Sequence, residues 1–405
     1  MKKFNLILIG FGGLLLFLEA CQKLVPAGPK ENEVLNGPVL GLSYEQKQVF
    51  NKGAEEFDEI YRAETGLGPI FVATSCVGCH AGDNKGHPFT TLTRFGQTDT
   101  NGNLFVAQGG PQLQHLAIPG YEGEKIPTGA TSSRFIAPIV AGLGFLELVS
   151  DQDILALADP QDRDGDGISG RPHWNHIPSW VVPNQHSINS NGKFICRFGR
   201  KASVYNLQQQ VVGAFNNDMG ITTSFMPQDP INFASSVNPS AIGDADIDDK
   251  SLNATVFYIQ ALQVPLARNQ SQPNVMEGKE IFKQIDCNKC HIETLKTQTT
   301  TFKALSNVEF HPYTDLLLHD MGYELNDQYT EGFALASEWR TTPLWGVGLS
   351  RNAQGGQLYL MHDGRAQSFD AAIQLHGGEA NGSRNKYNQL SDADKQKLVN
   401  FLESL

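Results

Sequence analysis

Two pentapeptides hold the residue types most able to do chemistry in this chain: CVGCH at 76–80 and CNKCH at 287–291. Each pairs two thiols three positions apart and follows them at once with an imidazole. Three chemistries use such pairs. A zinc ribbon brings its second Cys-x-x-Cys after about 15 to 20 residues, whereas some two hundred separate these. A thioredoxin-type dithiol sits at a helix start in a βαβ unit and needs no following histidine. Covalent haem does need it: the thiols add to the two vinyl groups of a porphyrin and the histidine becomes the proximal iron ligand. The pattern therefore implies two covalently bound haem c groups, at Cys76, Cys79 and His80 and at Cys287, Cys290 and His291.

Elements must hold these residues in place. Before the second motif, Gly278, Ile281, Phe282 and Ile285 recur at helical spacing. Before the first, SYEQKQVFNKGAEEFDEIY reads as a helix capped by Ser43 with Gln46 three residues on, and Val49, Phe50, Phe57 and Ile60 on one face. After each motif comes a Pro/Gly segment, SSRFIAPIVAGLG in the first half and EWRTTPLWGVGLS in the second. This repeated order predicts two related haem domains, 43–270 and 271–405, in a mainly α fold with long loops and little β structure.

The start of the chain bears on compartment. Residues 1–20 carry two lysines and an apolar run ending LEAC, the pattern of a lipoprotein signal peptide with Cys21 as the lipidated residue and 21–42 as linker. The expectation is export to the periplasmic side and a lipid anchor in a bacterial membrane, the outer membrane being favoured. A net charge of −12 argues against nucleic acid as partner and admits a basic redox partner.

DRDGDGISG sets Asp162, Asp164 and Asp166 at alternate positions, with the Ile168 carbonyl as a fourth oxygen, a pattern suited to calcium. The glutamate that would close an EF-hand loop is replaced by His173. Cys196 has no evident partner and reads as a buried free thiol.

Longer stretches resemble a known family. HPYTDLLLHDMG, SEWRTTPLWGVGL, YLMHDGRAQSFDAAIQLHGGEA, GGPQLQHLAIPG, DPQDRDGDGISGRP and NNDMGIT look like the di-haem oxidoreductase family, kin to bacterial di-haem cytochrome c peroxidases, to the di-haem enzyme that matures methylamine dehydrogenase and to di-haem rubber oxygenases. The resemblance implies two cytochrome c-like domains facing each other, one haem relaying electrons and the other meeting the oxidant. In the peroxidases a methionine fourteen residues after the HDG histidine ligates the relay haem. Here that histidine is His362 and the residue at the offset is His376, which makes His376 the expected sixth ligand of the second haem. Two imidazoles favour ferric iron, so its potential should be lower than that of a His/Met haem.

No residue marks itself as sixth ligand of the first haem among His87, His115, His173, His176 and His186, so that position is expected to be open to peroxide or oxygen. The family's distal carboxylate does not carry over residue by residue; Glu147, a carboxylate in apolar surroundings, is the candidate acid–base group. Trp339 and Trp345 read as core aromatics that could also lie between the haems. The leading expectation is a peroxidase reducing hydrogen peroxide at the N-terminal haem, with a small electron-donor protein or quinone-linked donor supplying the C-terminal one. The alternatives are an oxygenase or oxidase of an organic or protein substrate, and a non-enzymatic electron carrier or redox sensor.

Overall fold

The protein is described from a computed structural model, which covers residues 35–405 apart from 84, 100–101 and 240–242. The signal peptide, Cys21 and most of the linker lie outside the described residues. Among the described residues, five helices of twelve or more residues form the frame: α1 (Tyr44–Asp58), α2 (Leu207–Met219), α3 (Asp249–Ala261), α4 (Pro273–Gln284) and α5 (Asp392–Ser404). Strands are two to four residues long and form small antiparallel pairs, such as Leu92–Phe95 with Ser132–Phe135 and Leu318–Asp320 with Glu338–Arg340. Mainly α with little β is the class expected from the sequence.

The helix starts follow local chemistry. Ser43 caps α1: its Oγ accepts from the Gln46 N–H at 3.2 Å and the Gln46 side chain accepts from the Ser43 N–H at 2.9 Å, the reciprocal pair expected. Asn206, Asp248 and Ser391 cap α2, α3 and α5 with a side chain that accepts from a backbone N–H of the first turn, and α4 opens on Pro273, whose missing N–H costs nothing there. The end of α1 differs from expectation. The chain turns extended at Glu59, so Ile60 leaves the helix and is exposed, as is Val49; the buried stripe is Phe50, Gly53 and Phe57.

Two helix pairs repeat one design. In the first half α1 packs on α3, and in the second α4 packs on α5. A glycine stands at each crossing. A Cβ on Gly53 would overlap the Ala254 carbonyl of α3, and one on Gly278 would overlap the Lys397 carbonyl of α5. Absence of a side chain lets the backbones approach, and the flanking aromatics fill the space on either side.

The Pro/Gly segments have a role not visible in their order. They pack on each other: a Cβ on Gly142 would lie 2.9 Å from the Trp345 ring, and one on Gly346 would lie 2.7 Å from Ile139. A second seam joins the halves where residues 197–203 meet the strand Glu338–Arg340. There the Lys201 ammonium donates to the carbonyls of Leu335, Ala336 and Glu338, and the Arg340 N–H donates to the Arg200 carbonyl.

Candidate haem-binding cavity

Each motif winds into a single tight turn. The His80 N–H donates to the Cys76 carbonyl at 2.8 Å and the His291 N–H to the Cys287 carbonyl at 3.0 Å, which sets thiols and imidazole on one surface of the turn. Ser75 caps the first turn through the Gly78 N–H. Burial pushes the thiols of Cys76 and Cys287 up to about 12, the opposite of what a thioredoxin-type nucleophile needs.

The two histidines are held alike. His80 Nδ1 bonds the Pro138 carbonyl at 2.8 Å, and His291 Nδ1 bonds the Tyr313 carbonyl at 2.9 Å. Phe57 of α1 lies 6.1 Å from the His80 ring at 54°, and Phe282 of α4 lies 6.3 Å from the His291 ring at 54°. Burial lowers both imidazoles to about 4, so both are neutral, the form that ligates a metal through Nε2. The acceptor for His80 belongs to the first Pro/Gly segment, whereas the acceptor for His291 belongs to HPYTD at 311–315. The reason is local: Tyr313 takes a left-handed conformation, φ 55°, which turns its carbonyl to His291.

Both motifs open into one cavity of about 730 Å³. His376 is in its wall and half-buried, with Nδ1 on the Ala372 carbonyl at 2.7 Å, a third imidazole held with Nε2 unengaged by that bond. Of the candidates at the first site, His87, His115, His173, His176 and His186 are not among the described residues that line the cavity.

Beside the first motif the wall carries Asp218, Gln112, Arg94 and Glu331. Burial raises Asp218 despite a hydrogen bond from Gln112, whereas Glu331, though buried, is held below the usual carboxylate range by Arg94, Ser203 and Tyr329. Glu147 is elsewhere. One of its oxygens accepts from the Leu207 N–H at 2.7 Å, the first N–H of α2, and the other accepts from Gln260 at 2.7 Å. It does not line the cavity among the described residues, so the sequence-based acid–base candidate serves as a buried helix cap.

The cations of the wall were not singled out in the sequence. Arg200 and Arg340 are buried, and among the described residues neither guanidinium has a carboxylate at ion-pair distance; Arg200 spends one amino group on the Ile136 carbonyl and leaves Nε without a partner. Burial and the neighbouring Arg340 charge push Arg200 down to about 9, and burial pushes Arg340 to about 10 and Lys85 to about 7. Buried cations without anions are costly. A haem fits this wall: thiols for its vinyls, imidazoles for its iron, apolar side chains for its ring, and guanidinium groups without a paired carboxylate for its propionates. The only signal in sequence was two arginines set among glycine and apolar residues, FGRK and EWRTTP.

Other expected residues are engaged elsewhere. His362 lines the cavity, bonds Asp327 at 2.6 Å and stacks on Trp339 at 3.8 Å and 13°. The other face of Trp339 carries the Lys201 ammonium, 3.9 Å from the ring centre. His319 is clamped between Asp315 at 2.8 Å and Glu379 at 2.7 Å, which raise its pKa well above the ordinary value although burial opposes them. His311 bonds Thr294 at 3.0 Å. Asp162, Asp164 and Asp166 converge with oxygens within 4.8 Å of one another, and Asp166 pairs with Lys289 inside the second motif at 2.9 Å. Cys196 is buried with a thiol raised to about 12, an inert side chain.

No curated protein matches the chain. Among solved structures, the Kuenenia stuttgartiensis hydrazine synthase pressurised with 20 bar xenon is similar at 14% identity and a TM-score of 0.37, over 94% of this chain and 98% of that one. Residues 130–405 match the family described as "Di-haem oxidoreductase, putative peroxidase". The match takes in the second motif, His376 and both arginines, and the first motif faces the same cavity from outside it. This chain belongs to the di-haem oxidoreductase family.

Proposed function

We propose that the protein is an exported di-haem c-type peroxidase, reducing hydrogen peroxide at the N-terminal site with electrons relayed by the C-terminal one. The observation that carries this reading is an asymmetry between two matched sites. His376 stands in the cavity wall close enough to His291 to act on its charge, whereas none of His87, His115, His173, His176 and His186 lines the cavity among the described residues. Haem bound covalently at each motif would supply redox-active iron. The residues supply the rest. His80 and His291 offer Nε2 to iron while their carbonyl bonds fix the ring and strengthen the ligand. His376 would offer a further imidazole to iron at the second site, and Arg200 and Arg340 would hold propionates. Asp218, a cavity-wall carboxyl whose pKa burial raises, would be the group that passes a proton at the first site.

The same proposal takes in domains 43–270 and 271–405, a signal peptide at 1–20 with a lipid anchor at Cys21, and a donor that is a small protein or quinone-linked. It also places a structural calcium on Asp162, Asp164, Asp166 and the Ile168 carbonyl. A calcium titration is expected to raise the melting temperature; a flat response in both melting and haem spectrum removes the ion from the proposal.

Absorption and paramagnetic resonance spectra test the central reading. Ferric or half-reduced protein should show one high-spin and one low-spin haem, and peroxide should consume reducing equivalents. Asp218→Asn should slow that consumption about a hundredfold. Two low-spin haems in every redox state, inert to peroxide, would overturn it in favour of an electron carrier.

A further inference from the structure

A second cavity, about 520 Å³, lies where the two halves join. Its walls come from the connecting segment 263–267, Phe145, Lys279 of α4, Ala304, residues 308–311, Tyr313 and Trp345. Pockets at domain junctions with apolar walls and a few convergent polar groups are the usual form of small-molecule sites. Two observations point to a ligand here.

The first is Trp345. Its ring forms part of the walls of both cavities and is 3% exposed, yet its indole N–H has no hydrogen-bond partner among the described residues. A buried donor left unpaired costs about 1–3 kcal/mol, a cost that an acceptor oxygen on a ligand offsets. The second is Tyr313. Its carbonyl holds His291 Nδ1, while its phenol bonds Glu293, which pairs with Lys279 in the cavity wall. A single residue therefore joins this cavity to the proximal histidine of the second motif.

The walls describe the ligand. Phe145, Phe310 and Trp345 offer flat apolar faces. Lys279 and Glu293 neutralise each other and the further carboxylate, Glu309, is exposed at the rim, so among the described residues the walls keep no unpaired lysine or arginine for an anionic ligand. Glu309 and His311 supply proton acceptors at the rim. We propose that the cavity binds an uncharged, ring-bearing diol of the hydroquinone class, which is the reductant for the second haem site. This rests on the peroxidase reading. The reaction balances: the hydroquinone breaks its two O–H bonds and becomes the quinone, its two electrons and two protons go to hydrogen peroxide, the O–O bond breaks, and two waters leave.

Calorimetry on the full haem-loaded ferric protein, with menadione as the probe, measures binding without electron transfer. One saturable site is expected. Ala304→Trp, which places an indole in the cavity, should weaken binding at least about tenfold, and Trp345→Phe should weaken it about fivefold. Leu266→Trp, at the exposed edge, replaces Ala304→Trp if that variant does not fold. Menadiol-driven peroxide consumption should fall with binding in Ala304→Trp, while consumption driven by the dye ABTS stays unchanged. No saturable binding, or binding indifferent to all variants, overturns the proposal whatever the peroxide activity. Variant-sensitive binding with no peroxide consumption from any donor supports the site and overturns the peroxidase reading instead.

Discussion

An imidazole that gives its Nδ1–H to a backbone carbonyl presents Nε2 in a fixed direction, and His80, His291 and His376 are all held this way. The third makes a ligand set of two imidazoles the expectation at the second site. Replacing His376 by Met should raise one midpoint potential by on the order of 0.1 V and leave the other in place; a redox titration that moves neither would remove His376 as a ligand. At this scale the sequence was legible where covalent chemistry demands a pattern, as in the two motifs. It was illegible where the same residue type serves two ends. Glu147 has the burial and raised pKa of an acid–base group, yet both its oxygens are spent on Leu207 and Gln260. Arg200 and Arg340 look like surface cations until the fold buries them.

Elements show why the motifs stand at equal distances from their helices. Gly53 and Gly278 each lie four residues before the phenylalanine that packs on the motif histidine, so the closeness of the helix crossing sets where Phe57 and Phe282 fall. Gly53→Ala and Gly278→Ala should each cost about 2–3 kcal/mol in denaturant unfolding, because a rigid carbonyl occupies the place of the new methyl group. A cost near zero in either would mean that the helices separate freely. Helical spacing revealed both helices, and the cap at Ser43 came out as read. The buried face of α1 did not, since Val49 and Ile60 are as apolar as Phe50 and Phe57, and only the tertiary contact with α3 decides which stripe is covered. The partner of His291 was missed for a related reason: a carbonyl has no side-chain signature, and Tyr313 exposes its own only through an unusual φ.

Across the whole molecule, the halves are joined by groups that also serve the cavity. Arg200 lies on the seam between residues 197–203 and Glu338–Arg340, and its charge faces the first site. Arg200→Met should lower the unfolding free energy of the haem-loaded protein by about 3 kcal/mol, since it leaves a propionate without its partner. The first haem's potential should fall, because the uncompensated negative charge favours ferric iron, while the second haem's stays. Equal shifts in both would place the arginine midway between them instead. The acidic loop joins the same network from the other side, through Lys289 on Asp166 and Glu379 on Ser169.

Under the proposed peroxidase reading the chain would be exposed to self-damage, and indole is among the side chains most easily stripped of an electron. Trp339 sits in the cavity wall with an ammonium 3.9 Å from its ring centre. Removing an electron there would set a positive ring against Lys201, a repulsion of a few kcal/mol in a partly buried setting. Burial moves Lys201 down only to about 8, so the ammonium stays charged at neutral pH. The cation beside the indole would therefore make this ring an unfavourable place for an electron to be lost.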